Sequence, residues 1–130
     1  MTAPDFSRLT ALVVDDDEFS RNLLEHVLTG LGLATVLGAN GRETAISALR
    51  QHKPDIVFLD IHMPQVDGWT LLDEVRALRP QLKIVMVTGS NLPSDFSTSL
   101  EKRIDGYCIK PVLPDVMQKI ISKVFGHGGG

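Results

Sequence analysis

Five times along this sequence, a short apolar run gives way to a stretch whose apolar residues recur every three or four positions. The runs are ALVV at 11–14, ATVLGA at 34–39, IVFL at 56–59, IVMV at 84–87 and GYCI at 106–109. Such runs, bounded by turn residues, read as strands buried on both faces. The stretches between them read as amphipathic helices. Phe19, Leu23, Leu24, Val27 and Leu28 fall on one helical face, with Arg21, Asn22, Glu25 and His26 opposite. Ala45, Ile46 and Leu49 mark a second helix, Leu71, Leu72, Val75 and Leu78 a third, and Val116, Met117, Ile120 and Val124 the last. The segment GSNLPSDFSTSLEKRID is the weakest, with one short helix expected after Pro93.

Punctuation supports these boundaries. Gly30 and Gly32 close the first helix, Pro54 and Pro80 stop the second and third, and Pro114 sits where a first helical turn accepts proline. Asn40 and Glu43 have the spacing of a capping box, and Asp17 is expected to start the first helix. Alternating strands and helices with short connections imply an α/β fold: a parallel sheet covered on both faces and joined by right-handed crossovers. No repeat is visible at the level of identities.

A chain of 130 residues is expected to form one domain. The expectation is a domain over 1–125 and a disordered Gly-rich tail over 126–130. The formal net charge of −3, without a basic block, gives nucleic-acid binding little support. A single cysteine, Cys108, suits a reducing compartment. The first ten residues lack the apolar core of a signal peptide, and no run approaches the ~20 residues that span a bilayer. A cytoplasmic domain without membrane insertion is expected.

An open sheet of this kind places its functional crevice at the carboxyl ends of the strands. Asp15, Asp16 and Asp17 follow the first run, Asp60 the third, Thr88 the fourth and Lys110 the fifth. The topology gathers them. Two carboxylates ~4 Å apart repel by roughly 4 kcal/mol at an effective dielectric of about 20. Lys110 offsets part of this, and a hard divalent cation with oxygen ligands suits the remainder. Mg²⁺ is expected, with Mn²⁺ as the alternative. A phosphoryl group arriving there would meet the metal, an ammonium and a hydroxyl, with Asp60 as nucleophile.

The motifs LVVDDDE at 12–18, LDIHMPQVDGW at 59–69, VMVTG at 85–89 and GYCIKP at 106–111 resemble the receiver (CheY-like) domain of bacterial two-component response regulators. The resemblance covers residues 9–125. It implies a doubly wound, flavodoxin-like (βα)5 fold with strand order 2-1-3-4-5. It implies that Asp60 is the phosphoacceptor and that Asp15 and Asp16 form an acidic pair. Asp16, Asp60 and the backbone carbonyl of His62 would bind Mg²⁺ directly, and Asp15 through water. Thr88 and Lys110 would follow the phosphoryl group, and Tyr107 would be the aromatic that turns inward with Thr88. His62 and Ser90 would tune the phosphoryl lifetime, and the Lys110–Pro111 peptide would be cis. The implied protein is a signalling phosphoprotein, not an enzyme. Its phosphodonor is a sensor histidine kinase, a phosphotransfer protein or a small phosphodonor. Its output passes through the face of the fourth helix, fifth strand and fifth helix, from a monomer or a weak phosphorylation-dependent dimer. Only 20 residues follow Lys110, so a stand-alone receiver or a piece of a larger regulator or hybrid kinase is expected.

Other readings fit less well. A pseudo-receiver acting only as a binding module would not need the full set of acids, Thr and Lys. A haloacid-dehalogenase-like phosphatase wants Asp-x-Asp after its strand, where Asp60-Ile61-His62 stands here. A flavin phosphate would be repelled by Asp15–Glu18. Gly30-x-Gly32 follows a helix, which rules out a dinucleotide loop. His26 and His52 are expected to be solvated and Cys108 to be a small buried residue. Val112 stands where an aromatic commonly follows Lys-Pro, and Lys102 and Arg103 where Ala-Gly is common. Both departures fall on the expected output face.

Overall fold

The computed structural model describes residues 5–63, 66–89 and 92–126. Among the described residues, seven strands and five helices follow in the order β1 (Thr10–Val14), α1 (Glu18–Gly30), β2 (Thr35–Ala39), α2 (Arg42–Gln51), β3 (Ile56–Leu59), β4 (His62–Met63), β5 (Val66–Asp67), α3 (Gly68–Leu78), β6 (Lys83–Thr88), α4 (Pro93–Glu101), β7 (Gly106–Ile109) and α5 (Pro114–Val124). The five longer strands form one parallel sheet in the order β2-β1-β3-β6-β7. This is the 2-1-3-4-5 order expected of the five apolar runs. The short strands β4 and β5 pair antiparallel, His62 with Asp67 and Met63 with Val66.

The sheet divides the core by its period of two. Ala11, Val13, Ile56, Phe58, Val85 and Val87 meet α1 and α5 on one face. Leu12, Val14, Val57, Leu59, Ile84 and Met86 meet α2 and α3 on the other. Strands buried on both sides therefore read as uninterrupted apolar runs. At the amino ends of the strands, two aspartates stitch neighbours together. Asp55 donates its N–H to the carbonyl of Thr10 (2.7 Å) and accepts the Thr10 N–H on Oδ2 (2.9 Å). Asp105 does the same with Ile84, at 2.8 Å for each bond.

Asp17 caps α1 as expected, accepting the Ser20 N–H at 3.0 Å. Beyond Gly30 and Leu31, Gly32 takes the positive φ (+97°) that turns the chain toward β2. Phe19, in the first turn of α1, departs from its expected face and is 75% exposed, while Leu24, Val27 and Leu28 are buried. In α2 the capping partner is Thr44, not Glu43. Thr44 Oγ1 accepts the N–H groups of Asn40 (3.0 Å) and Gly41 (3.2 Å). Helix α3 starts at Gly68 itself, and α4 at Pro93. In α5 the buried stripe runs through Met117 and Ile121, with Ile120 and Val124 at its border, and Val116 lies outside it. Gly126 closes the described chain with a φ of +74°. The rest of the expected tail, 127–130, falls outside the described residues. Among the described residues no helix is long and apolar enough to cross a membrane.

Candidate metal centre

β1, β3, β6 and β7 each deliver one polar side chain to the carboxyl edge of the sheet. Asp15 follows β1 directly, and its N–H donates to the Ala39 carbonyl (3.0 Å). Asp60 follows β3, with its N–H on the Val14 carbonyl (3.1 Å). Both acids continue the ladder before the chain turns, which fixes their position. Thr88 ends β6 and is fully buried. Its carbonyl accepts the N–H of Lys110 at 2.8 Å, bringing the lysine alongside. The Lys110–Pro111 peptide is cis.

The charges meet at Lys110. Its Nζ lies 2.8 Å from Asp15 Oδ2 and 3.1 Å from Asp60 Oδ2. Asp15 and Asp60 are 5% and 6% exposed, so this contact is shielded from water. Their other oxygens are held locally. Asp15 Oδ1 accepts the Asp17 N–H, and Asp60 Oδ1 the His62 N–H, each at 2.9 Å. Asp16, exposed, completes the group: Asp15, Asp16 and Asp60 can each present an oxygen within 4.8 Å of the others. One ammonium among three carboxylates leaves the pocket short of positive charge. Burial accordingly pushes the Asp60 carboxyl above its usual range, despite the His62 N–H and the Lys110 charge, and Asp15 adds to the effect. Burial works against the Lys110 ammonium, but its bonds to Asp15 and the charge of Asp60 prevail and hold its pKa above the ordinary value. The oxygen-only donor set, its spacing and its charge deficit fit a hard divalent cation.

A cleft of about 830 Å³ opens beside Asp16, between the starts of α2 and α3, with Glu43, Asp67 and the Arg42–Glu74 ion pair (2.6 Å) on its walls. It extends the negative surface around the acidic group. Asp67 is a helix cap, accepting the Trp69 N–H (3.1 Å) and the Thr70 hydroxyl (2.9 Å). These bonds hold its carboxyl below the usual range.

The other expected site residues sit further out. The imidazole of His62 turns toward α4, with Nε2 2.8 Å from Asp95 Oδ2. Tyr107, on β7, is half-buried and packs edge-on against Phe96, with ring centroids 5.5 Å apart. Ser90 lies outside the described residues. Three contributors were not read from the sequence. Arg21 donates from a terminal nitrogen to the Asp15 carbonyl (2.9 Å) and braces the acidic loop from α1. Gly68 lets α3 approach so closely that a Cβ would stand 2.3 Å from Ile61 Cα. Asp95 receives His62. Only Arg21, one helical turn past Asp17, carried a signal in its spacing.

The doubly wound sheet thus gathers two buried carboxylates, an exposed one, a lysine and a threonine at one carboxyl edge. Residues 11–122 match the family model described as the response regulator receiver domain. The chain is 30% identical over 112 residues to the chemotaxis protein CheY of Bacillus subtilis, across 86% of this chain and 93% of CheY. A CheY-like receiver domain protein of Methanospirillum hungatei JF-1 superposes with a TM-score of 0.81 at 30% identity, covering 93% of this chain and 97% of that one. CheY of Borrelia burgdorferi, solved in a CheX-CheY-BeF3-Mg²⁺ complex, superposes at 0.83 with 26% identity, covering 90% and 89%. The chain spans about half the length of several transcriptional regulators it matches, 44% and 51% for two of them. The chain belongs to the response regulator receiver domain family of two-component signalling, whose members are signalling phosphoacceptors and not enzymes in their own right.

Proposed function

We propose that Asp60 accepts a phosphoryl group and that the resulting charge switches the α4-β7-α5 face. The donor is the phosphohistidine of a sensor kinase or phosphotransfer protein, or a small acyl phosphate. An Asp60 carboxylate oxygen bonds to phosphorus, the N–P bond of the phosphohistidine breaks, and the imidazole leaves with the bonding pair and takes a proton from solvent. Asp16, Asp60 and the His62 carbonyl would hold Mg²⁺, with Asp15 one water away. When bound, the ion supplies charge neutralisation for the incoming phosphoryl oxygens. Lys110, already bridging Asp15 and Asp60, turns its ammonium to the phosphoryl group, and Thr88 contributes its hydroxyl. The observation that carries this reading is the double contact of Lys110 Nζ at 2.8 and 3.1 Å beside a third acid.

Phosphorylation adds roughly 1.5 to 2 negative charges, enough to favour one of two preexisting states. Tyr107 carries the change to the groove of about 560 Å³ formed by α4, β7 and α5, where Leu92, Phe96, Ile109, Leu113 and Val116 stand exposed. An output protein or domain docks there. The module spans residues 1–125, works in the cytoplasm and is a monomer or a weak phosphorylation-dependent dimer. Ser90, with His62, takes part in setting the phosphoryl lifetime.

The test is incubation with acetyl phosphate, or with beryllofluoride, and Mg²⁺. A mass or fluorescence change (Trp69 is the sole tryptophan) that Asp60→Asn abolishes supports the reading. Mg²⁺ binding without any phosphoryl or beryllofluoride adduct would sink it in favour of a binding module.

A further inference from the structure

Asp16 is the exposed member of the acidic group. Asp15 and Asp60 are held through their carboxylates, by Lys110 and by local N–H groups. Asp16 takes its direction from its backbone instead, so the two peptides that flank it decide where its carboxylate points. The peptide after it is tied inside the loop, with the Asp17 N–H on Asp15 Oδ1. The peptide before it is tied from outside. Its oxygen, the Asp15 carbonyl, accepts a hydrogen bond from Arg21 Nη1 at 2.9 Å. Arg21 is itself placed by two neighbours. Its side chain is 18% exposed, and its Nε lies 4.0 Å from Glu25 Oε1, one turn along α1. Both side chains lie over Gly38 of the edge strand β2, where a Cβ would run into Glu25 Oε1 and stand 3.5 Å from Arg21 Cδ. The next residue, Ala39, accepts the Asp15 N–H. Both backbone groups of Asp15 are thus fixed from residues 38 and 39, one directly and one through Arg21.

We propose that Arg21 is a positioning residue for the metal. By holding the peptide between Asp15 and Asp16, it keeps an Asp16 oxygen within 4.8 Å of those of Asp15 and Asp60 before any ion arrives. The inference rests on these acids binding Mg²⁺ and deepens that reading: the affinity is set from α1 and β2 as well as by the acids themselves. Groups that orient a ligand without touching the ion commonly change metal affinity by about tenfold or more. Charge alone predicts the opposite sign. Arg21 is a cation beside a site for a cation, so its removal would by Coulomb's law tighten Mg²⁺ binding. Positioning makes the same removal weaken it.

The experiment compares the wild type with Arg21→Met, which keeps an unbranched stem and loses both the donor and the charge. Mg²⁺ is titrated and followed through backbone amide resonances, and order parameters are measured on the metal-free proteins. Arg21→Met is expected to bind Mg²⁺ about tenfold more weakly. Order is expected to fall at residues 16 and 17 and to stay unchanged in β1 and β3. Equal or tighter binding overturns the proposal. So does weaker binding with residues 16 and 17 as ordered as in the wild type, or a loss of order that extends through β1 and β3. If circular dichroism shows Arg21→Met unfolded, Gly38→Ala takes its place. That variant keeps the arginine and displaces only the flexible end of Glu25, and it is expected to loosen the same two residues and weaken Mg²⁺ binding to a smaller extent. No change in either overturns the proposal. A wild type that shows no Mg²⁺-dependent shifts overturns the metal reading and this inference with it. That result is distinguishable, because the failure then lies in the wild type and not in the variant.

Discussion

The acidic pocket and the α4-β7-α5 groove lie on the same molecule but follow opposite rules. In the pocket, Asp15 and Asp60 are buried and held by named partners, Asp15 by Asp17 and Lys110 and Asp60 by His62 and Lys110, with only Asp16 exposed among the three acids. In the groove, apolar side chains stand open, with Phe96 at 49% and Leu113 at 53% exposure, while Phe58 in the core is at 1%. β7 serves both regions, with Tyr107 and Ile109 lining the groove and Lys110 following into the pocket. The pocket is set by balance inside the chain, because a buried charge must find its counter-charge within reach. The groove carries no such internal requirement. Substitutions in the pocket should thus change chemistry and stability, and substitutions in the groove should change neither.

The largest effect that would test this division is at Gly68, the first residue of α3, packed against the backbone just after Asp60. A Cβ there meets Ile61 Cα at 2.3 Å and its carbonyl oxygen at 2.7 Å, both backbone atoms that cannot give way cheaply. Gly68→Ala is expected to cost about 3 kcal/mol of stability, read from the urea midpoint. A loss within error of zero would mean that the wall is more compliant than the geometry allows. Next comes Lys110→Ala, which should slow phosphoryl uptake from acetyl phosphate about a hundredfold, the scale of one lost charge donor in a transition state. Leu113→Ala should leave uptake at the wild-type rate. An equal drop in both would erase the distinction between the two regions.

A third effect has the opposite sign. The folded-state pKa of Asp60 lies above its unfolded value of 3.8. Folding therefore favours the protonated acid, and stability is lost as pH rises through the folded pKa. Asp60→Asn should then stabilise the metal-free protein at neutral pH by about 1 kcal/mol, a melting shift of about 4 °C. The gain should shrink as pH falls toward 3.8, and again when Mg²⁺ is added to the wild type. A destabilised variant would show that the Lys110 contact outweighs burial. The smallest effect belongs to the groove. Phe96→Ser should move global stability by less than about 0.5 kcal/mol, yet shift the ring resonances of Tyr107. A substantial loss of stability would make the groove part of the core.

Much of this was legible beforehand, for a physical reason. Strands buried on both faces must be apolar throughout, so β1, β3 and β6 stand out, and a parallel sheet leaves only its carboxyl edge for chemistry. Those two facts placed Asp15, Asp60, Thr88 and Lys110 together before any coordinates. Helix faces were legible in their middles and not at their ends. Phe19 and Val116 keep the right period yet stand exposed, Val116 on the α4-β7-α5 groove, and period alone does not say which end of an apolar stripe is left uncovered. The β4–β5 ladder is two residues long on each side, too short to leave an alternation. The side chain of His62 depended on where α4 lands, a tertiary matter. So did the contact at Gly68, where the informative atom is the one that is missing.

The stitches made by Asp55 and Asp105 have a mechanical consequence. Each pins the start of one strand to its neighbour by two bonds at the pole away from the pocket. The sheet is thus a beam clamped at one end and loaded at the other. A force applied at the loaded end meets resistance to sliding β3 along β1 or β7 along β6, because these bonds would have to break. It is relieved sideways, through the loops and the helices they lead into. A fold built this way bends at its rim and keeps its spine still.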